Sequence, residues 1–139
     1  MSTAGLLKAV VEAEHAAVYG YGVLGARLDD ATRRIAVQAY DVHRARRDRA
    51  VAALGGLGVD APVPLPAYDV TVTDRAAALA LAVRLEEGVG QRWRDVVGGT
   101  DDAALRQLAI GSLAETAVRA ARWRRLAGVT PVTVALPGT

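Results

Sequence analysis

Four long stretches with helical apolar spacing, nearly equal in length and each bounded by capping residues, limit this chain more than any other feature. The first runs from about Thr3 to Leu28, where Leu7, Val10, Val11, Val18, Tyr21, Leu24 and Leu28 recur at three-to-four spacing. Asp29 and Asp30 open a second, about 30–54, which ends before Gly55 and Gly56. A third is expected over about 74–97 and a fourth over about 101–127, closed by Gly128 and Pro131. Each is roughly 25 residues, or about 37 Å at 1.5 Å rise per residue. Matched lengths of this kind suit a helical bundle.

The connections select the bundle. Helices one and two are joined by a couple of residues, and helices three and four by Gly98, Gly99 and Thr100, so each pair must form an antiparallel hairpin. Between the hairpins lies a loop, about 55–73, that carries Pro62, Pro64 and Pro66. About 18 extended residues span up to roughly 60 Å, enough to return along the whole bundle. Two hairpins joined by one long crossover give the ferritin-like connectivity. The chain therefore reads as one all-α domain over 1–139, with an extended tail over 128–139 that packs on the bundle or reaches a partner.

Composition agrees with closely approaching helices. Hydrophobic residues make up 52% of the chain but aromatic ones only 4%, and Phe is absent, so the core must be built from Ala, Val and Leu. No cysteine is present, which removes disulfides and thiolate metal sites. The N-terminus MSTAGLLKAVVEAEH has no basic leader followed by an apolar run, and no window approaches the roughly 18 apolar residues of a membrane helix. A cytoplasmic protein without a membrane partner is expected. Net charge is only +2, and every cation but Lys8 is arginine. That bias gives no strong nucleic-acid signal. The pairs Arg92-Trp93-Arg94 and Arg122-Trp123-Arg124-Arg125 are read as core tryptophans flanked by solvated arginines.

The segments EAEHAAVYGYGVLGARL in helix one, HRARRD in helix two and AVRAARWR in helix four resemble a ferritin-like family of uncharacterised, alanine-rich bacterial proteins. The resemblance extends to about residue 127 and implies a four-helix fold related to carboxylate-bridged di-metal proteins. Such sites take a Glu from each of two helices and a Glu-x-x-His from each of the other two. On this chain the template falls on Glu14, on Tyr40-x-x-His43, on Glu86 and on Glu115-x-x-Val118, so one Glu and one His are replaced.

Height along the bundle tests that placement independently. Counted from the hairpin turns, Glu14, His43, Glu86 and Glu115 lie within roughly 3 Å of one level. Glu14 and Glu86 sit on apolar stripes, whereas Glu12 and Glu87 turn outward. Three readings compete for this layer. As metal ligands, Glu14, His43, Glu86 and Glu115 would suit iron, manganese or zinc. As a relic ion-pair cluster, the carboxylates would be neutralised by Arg46, Arg47 or Arg119, since unpaired buried charge is costly. As a small-molecule pocket, Tyr21, Tyr40 and His43 would line it.

His15 lies about 100° around the helix from Glu14 and is expected at the surface or an interface. Gly20, Gly22 and Gly25 would mark a close-packed face, within the bundle or across a homodimer. No phosphate loop, nucleophile elbow or zinc signature is present. The expectation is a degenerate di-metal site, no resident cofactor, and a structural or binding role in place of a full di-iron oxidase. The alternative is an iron- or manganese-dependent oxidase or an iron-handling protein.

Overall fold

A computed structural model describes residues 1–139. It is all-helical, with four α-helices and no strand: α1 (Thr3–Leu24), α2 (Asp30–Gly56), α3 (Arg75–Gly99) and α4 (Ala103–Ala127). Each begins at a side-chain cap that accepts a backbone N–H three residues on, from Ser2, Asp29, Asp74 and Asp102 respectively. These caps satisfy donors that a helix start otherwise leaves orphaned.

The first helix stops sooner than its apolar spacing suggests. Gly25–Arg27 tighten into a 3-10 turn, and Leu28 takes extended backbone while remaining buried. Arg33 of α2 fastens this corner by donating to the carbonyls of Gly25 at 2.9 Å and Leu28 at 2.8 Å.

Two apolar clusters show how the helices are arranged. One combines Leu7, Val10 and Val11 of α1 with Leu54 of α2, Trp93 and Val96 of α3 and Ala109 of α4. The other combines Tyr21 and Leu24 with Ala36 and Ala39, Leu79 and Ala82, and Trp123. The N-terminal half of α1 therefore meets the C-terminal halves of α2 and α3, and the C-terminal half of α3 meets the start of α4. Helix α1 packs along α2 and α3, and α3 packs along α4, while α2 and α4 barely touch.

The segment between α2 and α3 has no regular structure, but it is pinned to the helices. His15 donates through Nε2 to the Pro62 carbonyl at 3.1 Å, the Tyr68 ring lies 5.1 Å from that of Tyr19, and Val72 is buried in the second cluster. His15, expected at the surface or an interface, is buried because this loop covers it.

The tail departs from the expected extended form and is a run of bends and turns. Gly128 adopts the left-handed conformation that closes α4, with φ of 71°. Arg124, expected in solvent, is buried because its guanidinium holds the tail through the Val132 carbonyl at 3.2 Å and reaches Glu87 of α3 at 2.7 Å. Gly138 presses on α3 so closely that a Cβ there would stand 2.9 Å from the Gly90 carbonyl oxygen. No helix is long and apolar enough to cross a membrane.

Candidate functional site

Between the two apolar clusters lies a polar layer. Glu14, His43 and Glu86 have no exposed surface at all, a placement that charged side chains adopt only when partnered. Their helical phase explains the position, since each occupies the inward stripe of its own helix at matching height.

His43 joins the two carboxylates. Its Nδ1 lies 2.6 Å from Glu14 Oε2 and its Nε2 lies 2.9 Å from Glu86 Oε1. With both carboxyls ionised each can only accept, so both ring nitrogens donate and the ring is an imidazolium. Burial by itself pushes the His43 pKa down, but the hydrogen bonds and charges of Glu14 and Glu86 outweigh it and raise the pKa to about 9. For Glu86, burial pushes upward, yet His43, Arg119 and Tyr21 together hold its carboxyl below the ordinary value.

Further donors complete the shell. Trp93 donates from its indole Nε1 to Glu14 Oε1 at 3.0 Å, and Tyr21 donates its hydroxyl to Glu86 Oε1 at 2.6 Å. Trp123 in turn donates to the Tyr21 oxygen at 2.8 Å, and Arg119 of α4 reaches Glu86 Oε1 through Nε at 3.2 Å. Burial, with the neighbouring Glu86 charge, lifts the Tyr21 pKa well above its ordinary value, which keeps the phenol a neutral donor. The Tyr21 and His43 rings stack with centroids 5.5 Å apart. Glu14 and Glu86 face His43 and Arg119, so two negative charges meet two positive ones. A single buried side-chain polar atom is left without a partner, Glu86 Oε2.

The remaining candidates lie elsewhere. Glu115 leaves the layer and is half exposed at the surface, where Arg46 holds it at 2.6 Å. Its stripe on α4 is the mixed one of Leu108, Ser112 and Arg119, so the residue sits at the boundary, and Arg119 rather than Glu115 is what α4 sends inward. Arg47 pairs with Asp48 at 2.9 Å and contributes nothing to the layer. Tyr40 is half-buried under the Arg44 guanidinium and packs against the second apolar cluster, outside the hydrogen-bonded layer. Val118, where the di-metal template would call for a second histidine, is 70% exposed.

The indole donors were missed by sequence reasoning. Trp93 shares the inward stripe of Glu86 two turns on, which marks it as core; its reach across to Glu14 on another helix leaves no trace in spacing along α3.

The donor set bears directly on a di-metal centre. Both His43 nitrogens face carboxylates, Glu86 Oε1 already accepts from three groups including a guanidinium, and the third carboxylate, Glu115, is at the surface. Although Glu14, His43 and Glu86 meet in one layer, no three His, Asp or Glu side chains there are arranged to hold an ion.

Comparison with known proteins places these features in context. Residues 6–139 match the model of a domain of unknown function, DUF4439. The structure is similar to the crystal structure of a conserved hypothetical protein, rv2844, from Mycobacterium tuberculosis, with 36% sequence identity, a TM-score of 0.87, and coverage of 97% of this chain and 96% of that one. No curated protein matches the chain.

Proposed function

The chain belongs to the DUF4439 family of unknown function, and we propose that it is a ferritin-like helical bundle in which a buried imidazolium has replaced the metal centre, serving a structural or binding role. The ferritin-like reading is supported by the two close helix pairs, α1 with α2 and α3 with α4, and by the long segment that joins them. The observation that carries the replacement is the position of His43, whose two nitrogens each face a carboxylate at 2.6 and 2.9 Å.

A divalent ion and an imidazolium do the same electrostatic work here, which is to hold two buried carboxylates together. The ion needs the nitrogen lone pair, whereas the imidazolium has none to give. Arg119 strengthens the substitution by adding a second cation beside Glu86. The residues therefore do not fit a di-metal centre, and no redox step is assigned to them.

The test is metal content. Protein purified without a metal-binding tag and incubated with ferrous iron, manganese or zinc is expected to retain less than stoichiometric metal after desalting, with an unchanged melting temperature. Stoichiometric metal that disappears in Glu14→Ala would overturn the reading in favour of a metal-dependent oxidase or iron-handling protein.

A further inference from the structure

The loop between α2 and α3 forms a crevice against α1 and α2 that shares no residue with the His43 layer. It measures about 410 Å³, within the range of small-molecule sites. His15, Tyr19 and Gly22, at i, i+4 and i+7 on one face of α1, form one side. Tyr40 of α2 and Tyr68 of the loop form the others, so three of the chain's four tyrosines meet here. All three rings are half-buried. Tyr68 is fixed by the Leu65 N–H, which donates to its oxygen at 3.2 Å, and its ring lies 5.1 Å from that of Tyr19.

His15 supplies the crevice with a polar atom. The residue is 9% exposed, and its Nε2 donates to the Pro62 carbonyl. In a neutral imidazole the other nitrogen, Nδ1, is then an acceptor. No protein group donates to it, yet it is not sealed off, because the one fully enclosed side-chain polar atom without a partner is Glu86 Oε2. His15 Nδ1 therefore keeps accessible surface, and the crevice is the space that His15 lines.

Gly22 gives the crevice depth. The missing side chain of Gly20 makes room for Leu85, whereas Gly22 is exposed and a Cβ there would meet nothing nearer than Tyr40 Cε2 at 3.9 Å. Packing within the bundle does not call for glycine at this position, although it costs up to about 1 kcal/mol relative to alanine in a helix. The absent side chain leaves open the space beside the Tyr40 ring.

We infer that this crevice binds a small, uncharged aromatic molecule carrying an O–H or N–H donor, of the phenol or indole class. The ring packs among Tyr19, Tyr40 and Tyr68 over Gly22, and its donor meets His15 Nδ1. An aromatic hydrocarbon fills the same space but leaves Nδ1 unsatisfied. Arg47 also lines the crevice, but its guanidinium is held by Asp48 at 2.9 Å, so an anion is not required, and a cation is disfavoured. The site goes beyond the His43 replacement, and its failure would leave the metal measurement standing.

Fluorine NMR titration of the full chain at pH 8 tests the assignment with two probes of nearly equal shape, 4-fluorophenol and 1,4-difluorobenzene. Saturable one-to-one binding of 4-fluorophenol is expected, about tenfold tighter than that of 1,4-difluorobenzene, which has no donor. Gly22→Leu is expected to lose about tenfold or more in affinity for 4-fluorophenol without a lower melting temperature, because the position is exposed and helical. Gly22→Ala adds one methyl group and is expected to lose about threefold, and it decides the matter if the larger side chain unsettles the fold. Absence of saturable binding at millimolar probe, equal affinity for the two probes, or full affinity in Gly22→Ala would each overturn the inference.

Discussion

At the scale of single residues, the molecule is organised by two hydrogen bonds to one ring. His43 in the unfolded chain has an ordinary pKa near 6.5, and in the fold its pKa rises to about 9. A group with a raised folded pKa contributes stability that is complete below its unfolded value and is lost as pH climbs through its folded value. The difference corresponds to about 3 kcal/mol, so urea midpoints are expected to fall between about pH 6.5 and pH 9. Glu86 works in the opposite sense. Its lowered pKa adds stability above the ordinary carboxylate range and loses it as pH falls. His43→Gln should abolish the alkaline loss, which a midpoint series on both proteins would show. Trp93→Phe keeps the ring but removes the donor to buried Glu14 Oε1, and should cost about 1.5–3 kcal/mol by denaturant unfolding. Glu14, His43 and Glu86 could be placed from phase and height alone, because both follow from a repeating helix. Which cation faces each carboxylate could not, since that depends on side-chain reach across three other helices.

At the scale of elements, helix existence and punctuation were legible, and the helix ends were less so. Asp29 caps as its position suggests, and at the fourth helix the cap is Asp102 rather than the adjacent Asp101. Neighbouring aspartates offer the same chemistry, and only the backbone angle separates them. The early stop of α1 depends on Arg33 reaching back from the next helix, which spacing within α1 cannot show. The glycines of α1 divide in the same way. A Cβ on Gly20 would stand 2.6 Å from Leu85 Cδ1, whereas one on Gly22 meets nothing nearer than Tyr40 at 3.9 Å. Gly22→Ala is therefore expected to stabilise by up to about 1 kcal/mol through helix propensity. Gly20→Ala should gain less or lose, because Leu85 must move. Thermal unfolding of the two variants side by side checks the contrast, and equal gains would remove Gly20 as a contact point between α1 and α3.

At the scale of the whole molecule, two apolar clusters flank one charged layer, and that layer takes a side chain from every helix: Glu14 from α1, His43 from α2, Glu86 from α3 and Arg119 from α4. Helices α2 and α4 barely touch directly, so the layer and the Arg46–Glu115 pair are what tie them across the centre. The all-helical class was readable because length, capping and periodicity agree along the whole chain. The path of the tail was not, since twelve residues rich in Pro, Val and Thr carry no period that reveals where they fold back. The central claim is that a doubly protonated His43 now does what a metal would do. Nitrogen-15 NMR of the imidazole side chains at pH 7.5 tests it directly: the account predicts that His43 shows protons on both Nδ1 and Nε2 and titrates near 9. A neutral His43 ring at that pH, or one whose signals move on adding one equivalent of ferrous iron or zinc, would contradict it.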